Sequence, residues 1–176
     1  MRADQLLVER GLAATRSQAQ RLITAGVQWR VGFQAWQQVQ KNGEDLPPLC
    51  ELQLLNDAEI RYVSRGGLKL EGALHQIGLT VDGLVCLDLG QSTGGFTDCL
   101  LQHGAAQVCG VDVGHGQLHP RLQADGRVRQ LEKINARHLI PEQLGEQGQV
   151  GFDLVVADLS FISLSLVLPV MPKLMK

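Results

Sequence analysis

The chain has 176 residues, enough for one ordinary domain or for a small one plus part of a larger one. With 44% hydrophobic and 19% charged residues it has the composition of a soluble globular protein. Its formal net charge of −2 excludes a general attraction for anionic partners, so any nucleic-acid contact must come from a local basic patch.

Residues 4–10 read as a brief helix ended by Gly11. A second helix starts at Thr15 and Gln18, which have capping-box spacing. Ala19, Leu22 and Ile23 give it an apolar stripe, and Gly26 can close it in a left-handed conformation. Val27, Trp29 and Val31 then alternate as a strand does. The stretch KNGEDLPP, residues 41–48, is turn chemistry. Residues 49–55 suit a second short strand, and a polar connector begins at residue 57. Residues 1–41 hold Arg2, Arg10, Arg16, Arg21, Arg30 and Lys41 against only Asp4 and Glu9. Such a basic helix face followed by a strand suits either a phosphate-contacting surface or an ordinary solvated helix.

From about residue 61 the pattern becomes regular. Leu70, Ala73, Leu74 and Ile77 mark an amphipathic helix. Residues 84–89 suit a strand, 96–103 a helix capped by Gly104, and 107–111, 128–131 and 152–157 further strands. This alternation of near-continuous apolar strands with helices predicts an α/β fold, a parallel sheet covered on both faces. The expected division is 1–60 and 61–176. In such sheets ligands bind at the carboxyl ends of the strands.

Cys50, Cys86, Cys99 and Cys109 form no C-x-x-C pair, which argues against a zinc ribbon or redox motif. Cys86 and Cys109 lie in apolar runs and suit core thiols in a reducing, cytoplasmic setting. No N-terminal run has the apolar core of a signal peptide. The most apolar stretch, 154–175, carries Asp158, Pro169, Pro172 and Lys173, and a membrane span needs roughly 20 mostly apolar residues. The histidines of HGQLH, residues 115–119, lack a third ligand and are expected in a loop, with no metal.

The stretch LVCLDLGQSTGGFT, residues 84–97, is a strand, a tight loop and a helix start. It matches G-x-S-x-G, but the few elements upstream and the lack of an oxyanion loop argue against a serine hydrolase. A dinucleotide loop needs glycine where Ser92 stands, because the backbone must approach a pyrophosphate. S-adenosylmethionine has no phosphate. Gly94 and Gly95 would let backbone amides meet its carboxylate at a helix N-terminus. Asp112, 24 residues after Asp88, could take the ribose diol. Taken singly, Asp112 suits a strand-end turn and Gly94-Gly95 a plain turn. The ordered set Asp88, Gly90, Gly94-Gly95 and Asp112 favours the adenosine cofactor.

Four runs, YVSRGGLKLEGAL (62–74), LDLGQSTGGFTDCLLQHGA (87–105), VDVGHGQL (111–118) and FDLVVADLSFISL (152–164), closely resemble the TlyA, or hemolysin-A-like, family of RNA methyltransferases. The resemblance implies a small α+β RNA-binding module of the ribosomal protein S-four type. After it would come an FtsJ-type ribose 2′-O-methyltransferase domain with a Rossmann-like sheet. TRSQAQRLITAG fits the module, whereas Val31-Gly32-Phe33 replaces the family's usual Val-Asn-Gly turn, and Trp29 and Trp36 are unusual there. The resemblance places two members of a Lys-Asp-Lys-Glu catalytic set on Lys69 and Asp158. It places cofactor contacts on Gly94 and Phe96, the ribose on Asp112 and the adenine on Asn135, with Glu132 a rival for Asn135; Asp88, Gly90, Ser92 and Gly95 of the strand-loop motif complete the candidate cofactor set. Arg2, Arg16, Arg21 and Arg30 become the candidate RNA contacts. The partners implied are RNA, above all ribosomal RNA or ribosomal subunits, and no membrane. The second lysine and the glutamate would lie beyond Lys176, so the domain is expected to be incomplete at its C-terminal end and this chain alone to lack methyl transfer. The alternatives are an RNA-binding protein without catalysis and, with least support, a pore-forming hemolysin.

Overall fold

The computed structural model describes the backbone of residues 1–176 and every side chain except that of Glu59. The chain divides into two compact units, Met1–Arg61 and Tyr62–Lys176.

The first unit opens with α1 (Ala3–Glu9) and α2 (Arg16–Gly26). Thr15 Oγ1 accepts the Gln18 N–H at 3.2 Å, while Gln18 Oε1 reaches back to the Ala14 N–H at 2.7 Å, one residue before the position a capping box would use. Leu6, Leu7, Ala19, Leu22 and Val27 form its core with Val39, Leu46 and Cys50. Three antiparallel strands follow: β1 (Val27–Arg30), β2 (Gln37–Gln38) and β3 (Glu51–Leu54), in the order β2-β1-β3. The first strand ends before Val31, where the chain turns. The strand expected over 49–55 shrinks because a turn, Cys50 N–H to Pro47 carbonyl at 3.0 Å, leaves Leu49 outside it. A short helix, α3 (Ala58–Arg61), ends the unit.

One buried carboxylate ties this unit together. Asp4 accepts from Arg2 Nε (3.1 Å) and Nη2 (3.0 Å), from Arg16 Nη2 (2.9 Å) and from Gln20 Nε2 (3.3 Å). Asp4 is fully buried, and the Arg2 hydrogen bonds hold its carboxyl well below the usual range despite the opposing effect of burial.

The second unit contains α4 (Gly66–Ile77), β4 (Val85–Leu89), α5 (Gly95–Gln102), β5 (Gln107–Val111), α6 (Pro120–Gln123) and β6 (Val128–Leu131). Then come α7 (Gly145–Val150), β7 (Leu154–Ala157) and α8 (Leu164–Val167). The four strands are parallel in the order β6-β5-β4-β7, with Asp88 opposite Gly110 on one side and Val156 on the other. Successive residues face opposite sides of a strand. Cys86, Val108 and Val156 therefore join Leu70, Leu74 and Leu100 in one core. Leu87, Leu89, Cys109 and Val111 join Phe152 and Val167 in the other.

Residues 168–176 form no regular helix. Pro169 and Pro172 remove helix N–H donors. The segment makes a 3-10 turn at Met171–Lys173 and a parallel bridge from Met175 to Phe152. Phe152 is drawn into that bridge, so β7 begins at Leu154 rather than at 152. All four cysteines are buried free thiols, and no helix among the described residues is long and apolar enough to cross a membrane.

The Asp4 cluster makes a pH-dependent contribution. A carboxyl whose folded pKa lies below its unfolded value stabilises above the unfolded value, and that stability is lost as pH falls. Asp4→Asn should therefore destabilise the chain at neutral pH and flatten the acid limb of its unfolding. Urea melts on the acid side of neutrality, read by the fluorescence of Trp29 in this core, test that expectation.

Candidate active site

Three aspartates mark the carboxyl ends of adjacent strands. Asp88 lies within β4, Asp112 directly follows β5, and Asp158 directly follows β7. The loop leaving β4 is stitched between its neighbours. Gly90 and Gln91 donate N–H groups to the Val111 carbonyl at 2.8 and 3.2 Å, and Asp158 N–H donates to Leu89 at 3.3 Å. Gly90 has φ +81°, and a Cβ there would stand 2.8 Å from the Asp158 carbonyl oxygen. A side chain would force the β4 and β7 ends apart.

Asp112 fixes two loops. Its Oδ2 accepts the Ser92 N–H at 2.7 Å and its Oδ1 the Gly114 N–H at 2.8 Å. Ser92 has φ +50°, a left-handed value that a non-glycine residue keeps only when its surroundings hold it there. The Asp112 carboxylate does that. Beside these groups lies a cleft of about 700 Å³, lined among others by Gly90, Ser92, Asp112, Asn135, Asp158 and Phe161. Asn135 Oδ1 caps the following 3-10 turn by accepting the Arg137 N–H at 2.9 Å. Glu132 instead braces the neighbouring loop, accepting from Gly116 N–H and Gln130 Nε2 at 2.7 Å each.

Asp88 does not line the cleft. It is buried, and its Oδ2 accepts the Thr97 hydroxyl at 2.7 Å. Thr97 Oγ1 in turn accepts Gln91 Nε2 at 3.0 Å. Asp88 Oδ1 and Gln91 Oε1 have no protein partner, although both are enclosed. Burial pushes the Asp88 carboxyl up to about 7, against the lowering effect of the Thr97 bonds, and the charges of Asp112 and Asp158 raise it further. Gln91 carries no motif signal that would assign it to this site. Its side chain lies over Gly110, filling the place a Cβ would take.

Gly94, Gly95 and Phe96 also stand outside the cleft lining. Gly94 has φ +99°, and a Cβ on it would collide with Leu118 and Leu122. A Cβ on Gly95 would collide with Ser64 Oγ and come within 2.9 Å of Gly67 N. The two glycines thus let α5 begin in close contact with its surroundings, while Phe96 packs against the Leu70–Leu74 core. Asp98, equally silent in sequence, accepts the Val63 N–H at 2.8 Å and Arg121 Nη2 at 2.6 Å. It thereby fixes the segment entering α4, the helix that carries Lys69.

Lys69 Nζ lies 3.1 Å from Asp158 Oδ2, with side chains 68% and 44% exposed. An ion pair this open contributes at most about 1 kcal/mol to stability. What it sets is position: a cation and a carboxylate held together at the rim of the strand ends.

Of the four arginines considered for RNA, Arg2 and Arg16 share Asp4, and Arg30 donates to Glu51 Oε2 through Nε (3.0 Å) and Nη2 (2.7 Å). Arg21 lies on α2, partly buried.

The FtsJ-like methyltransferase family matches residues 62–175. The chain belongs to that family. The S4 domain matches residues 1–26 ahead of the FtsJ-like unit. Over 168 residues the chain is 50% identical to the 16S/23S rRNA (cytidine-2′-O)-methyltransferase TlyA of Mycobacterium tuberculosis, covering 96% of this chain and 60% of that protein. It is 38% identical over 173 residues to Hemolysin A of Brachyspira hyodysenteriae, covering 98% of this chain and 68% of that one. A solved structure from Streptococcus thermophilus that carries the hemolysin name superposes with a TM-score of 0.64 at 42% identity, over 100% of this chain and 62% of its own. The chain thus spans roughly three fifths of the first of these relatives.

The buried acid of the FtsJ-like unit has a pH signature. A carboxyl raised in the folded state stabilises fully below its unfolded value, and that stability is lost as pH rises through the folded one. For Asp88 the window runs from 3.8 to about 7. Asp88→Asn should remove this decline, so that urea stability of the variant relative to the parent improves steadily across the window.

Proposed function

We propose that the protein is an S-adenosylmethionine-dependent ribose 2′-O-methyltransferase acting on RNA, with ribosomal RNA as substrate. The observation that carries this reading is the Lys69–Asp158 pair, standing on the same row of strand ends as the cleft-lining Asp112. The name of the tuberculosis relative supports the substrate class, and the match to the S4 domain supports RNA as the partner.

The residues suit the cofactor chemically. S-adenosylmethionine carries positive charge at its sulfonium and ammonium groups. Asp112 and Asp158, both lining the cleft, make the strand ends negative. Asp112 offers a carboxylate for the ribose diol, the task of the acid after the second strand in related nucleotide folds. Asn135 keeps its amide nitrogen for the adenine. The cleft volume lies within the roughly 300–1,000 Å³ of small-molecule sites.

When bound, the cofactor supplies an electrophilic methyl group. The chain's own part is to hold a ribose hydroxyl in line with it. A hydroxyl is a weak nucleophile, and positioning contributes much of the acceleration. Lys69, tied to a carboxylate, is set to donate a hydrogen bond to the substrate oxygen. Asp158 is set to accept the proton that oxygen releases.

Calorimetry with S-adenosylmethionine tests the cofactor half. Asp112→Ala should weaken binding at least about tenfold, the scale of lost charged hydrogen bonds, whereas Lys69→Ala should leave it within about twofold. Tritium transfer to ribosomal RNA, with the protein expressed from its full reading frame, tests the chemistry. There Asp158→Ala should lose at least about a hundredfold. Undiminished transfer by that variant would remove Asp158 from the reaction.

A further inference from the structure

The turn between β1 and β2 carries aromatic side chains that neither the core nor the proposed reaction uses. Gln34 N–H donates to the Val31 carbonyl at 3.2 Å. Gly32 takes φ +57° in this turn, with open space where a Cβ would stand. Phe33 follows it, wholly exposed at 108% of its reference area. Trp36 lies three residues on and is only partly buried. The Arg30 guanidinium sits over the Trp36 ring, 4.5 Å from its centroid. Arg30 is held there by its two hydrogen bonds to Glu51. Its charge is therefore met within the chain, and its plane braces one face of the indole. In RNA, unpaired bases are the ones taken up on aromatic rings and guanidinium planes.

We infer that Phe33 and the Arg30-braced Trp36 form a stacking platform for unpaired bases of RNA. The inference rests on the RNA reading above and narrows it to single-stranded segments. RNA fits better than a protein surface because the same unit matches the S4 domain and the exposed Lys41 stands just past β2. It also changes the part given to Arg30, from a phosphate contact to the support of a ring.

The experiment measures affinity of the chain for a single-stranded RNA of about twelve nucleotides and for the same strand in a duplex. Phe33→Ala should weaken single-strand binding about tenfold. Phe33→Tyr should stay within about twofold of the parent, and Phe33→Leu, apolar without a ring, should resemble the alanine variant. Duplex affinity should be unchanged, as should the salt slope of single-strand binding, because no phosphate contact is removed. Phe33 touches no core, so circular dichroism of each variant should match the parent. Equal single-strand affinity for parent and Phe33→Ala overturns the platform and leaves the RNA reading standing. A parent that binds no RNA overturns both. Sedimentation showing a parent dimer that Phe33→Ala dissociates, with RNA affinity unmoved, assigns the turn to a second copy of the chain instead.

Discussion

The row of strand ends depends on one buried hydrogen bond, from the Thr97 hydroxyl to Asp88 at 2.7 Å. It joins the middle of the sheet to the helix that follows. The chain has only residues 90–94 in which to turn from β4 into α5. Three of those five residues, Gly90, Ser92 and Gly94, take positive φ. So tight a loop needs anchors at both ends. Thr97 supplies one beneath it, and Asp112 supplies the other by holding the Ser92 amide. The cleft exists because the loop is pulled down at one end and across at the other.

The arginines of the first unit follow a different logic. Counted from sequence they are a basic face. In three dimensions Arg2 and Arg16 converge on Asp4, and Arg30 is committed to Glu51 and Trp36. Much of the apparent charge is internal architecture. A buried carboxylate without such partners would be costly, so Arg2 and Arg16 are required by the fold whatever else they touch.

Elements with an apolar period are legible in the amino-acid sequence. α2, β4 and β5 bury a stripe or a full run, and their boundaries fall within a residue or two of expectation; α4 has its expected stripe but begins at Gly66, four residues before Leu70. β2 is not legible, because Gln37 and Gln38 are both exposed and pair with β1 through backbone groups alone. α7 is hidden for a related reason: GEQGQV has no apolar stripe. Among the candidate site residues, Gly90, Ser92, Asp112, Asn135 and Asp158 come together around the cleft because each follows or ends a strand. Gly94 and Gly95 carry the same motif signature but face packed helices and side chains. A glycine in a motif reports that space is short, not which neighbour takes it. Gln91 and Asp98 give no signal at all, since a lone polar residue looks solvated until its burial is known.

Gly110 and Gln91 show what that missing signal contains. The glycine leaves a hole in the middle of β5, and a side chain from the loop after β4 fills it. The two positions therefore behave as a single unit of volume. Across related sequences they should be exchanged together: a larger residue in the strand should accompany a smaller one in the loop. A chain that changes only one of them loses either the filling of its sheet or the shape of its loop.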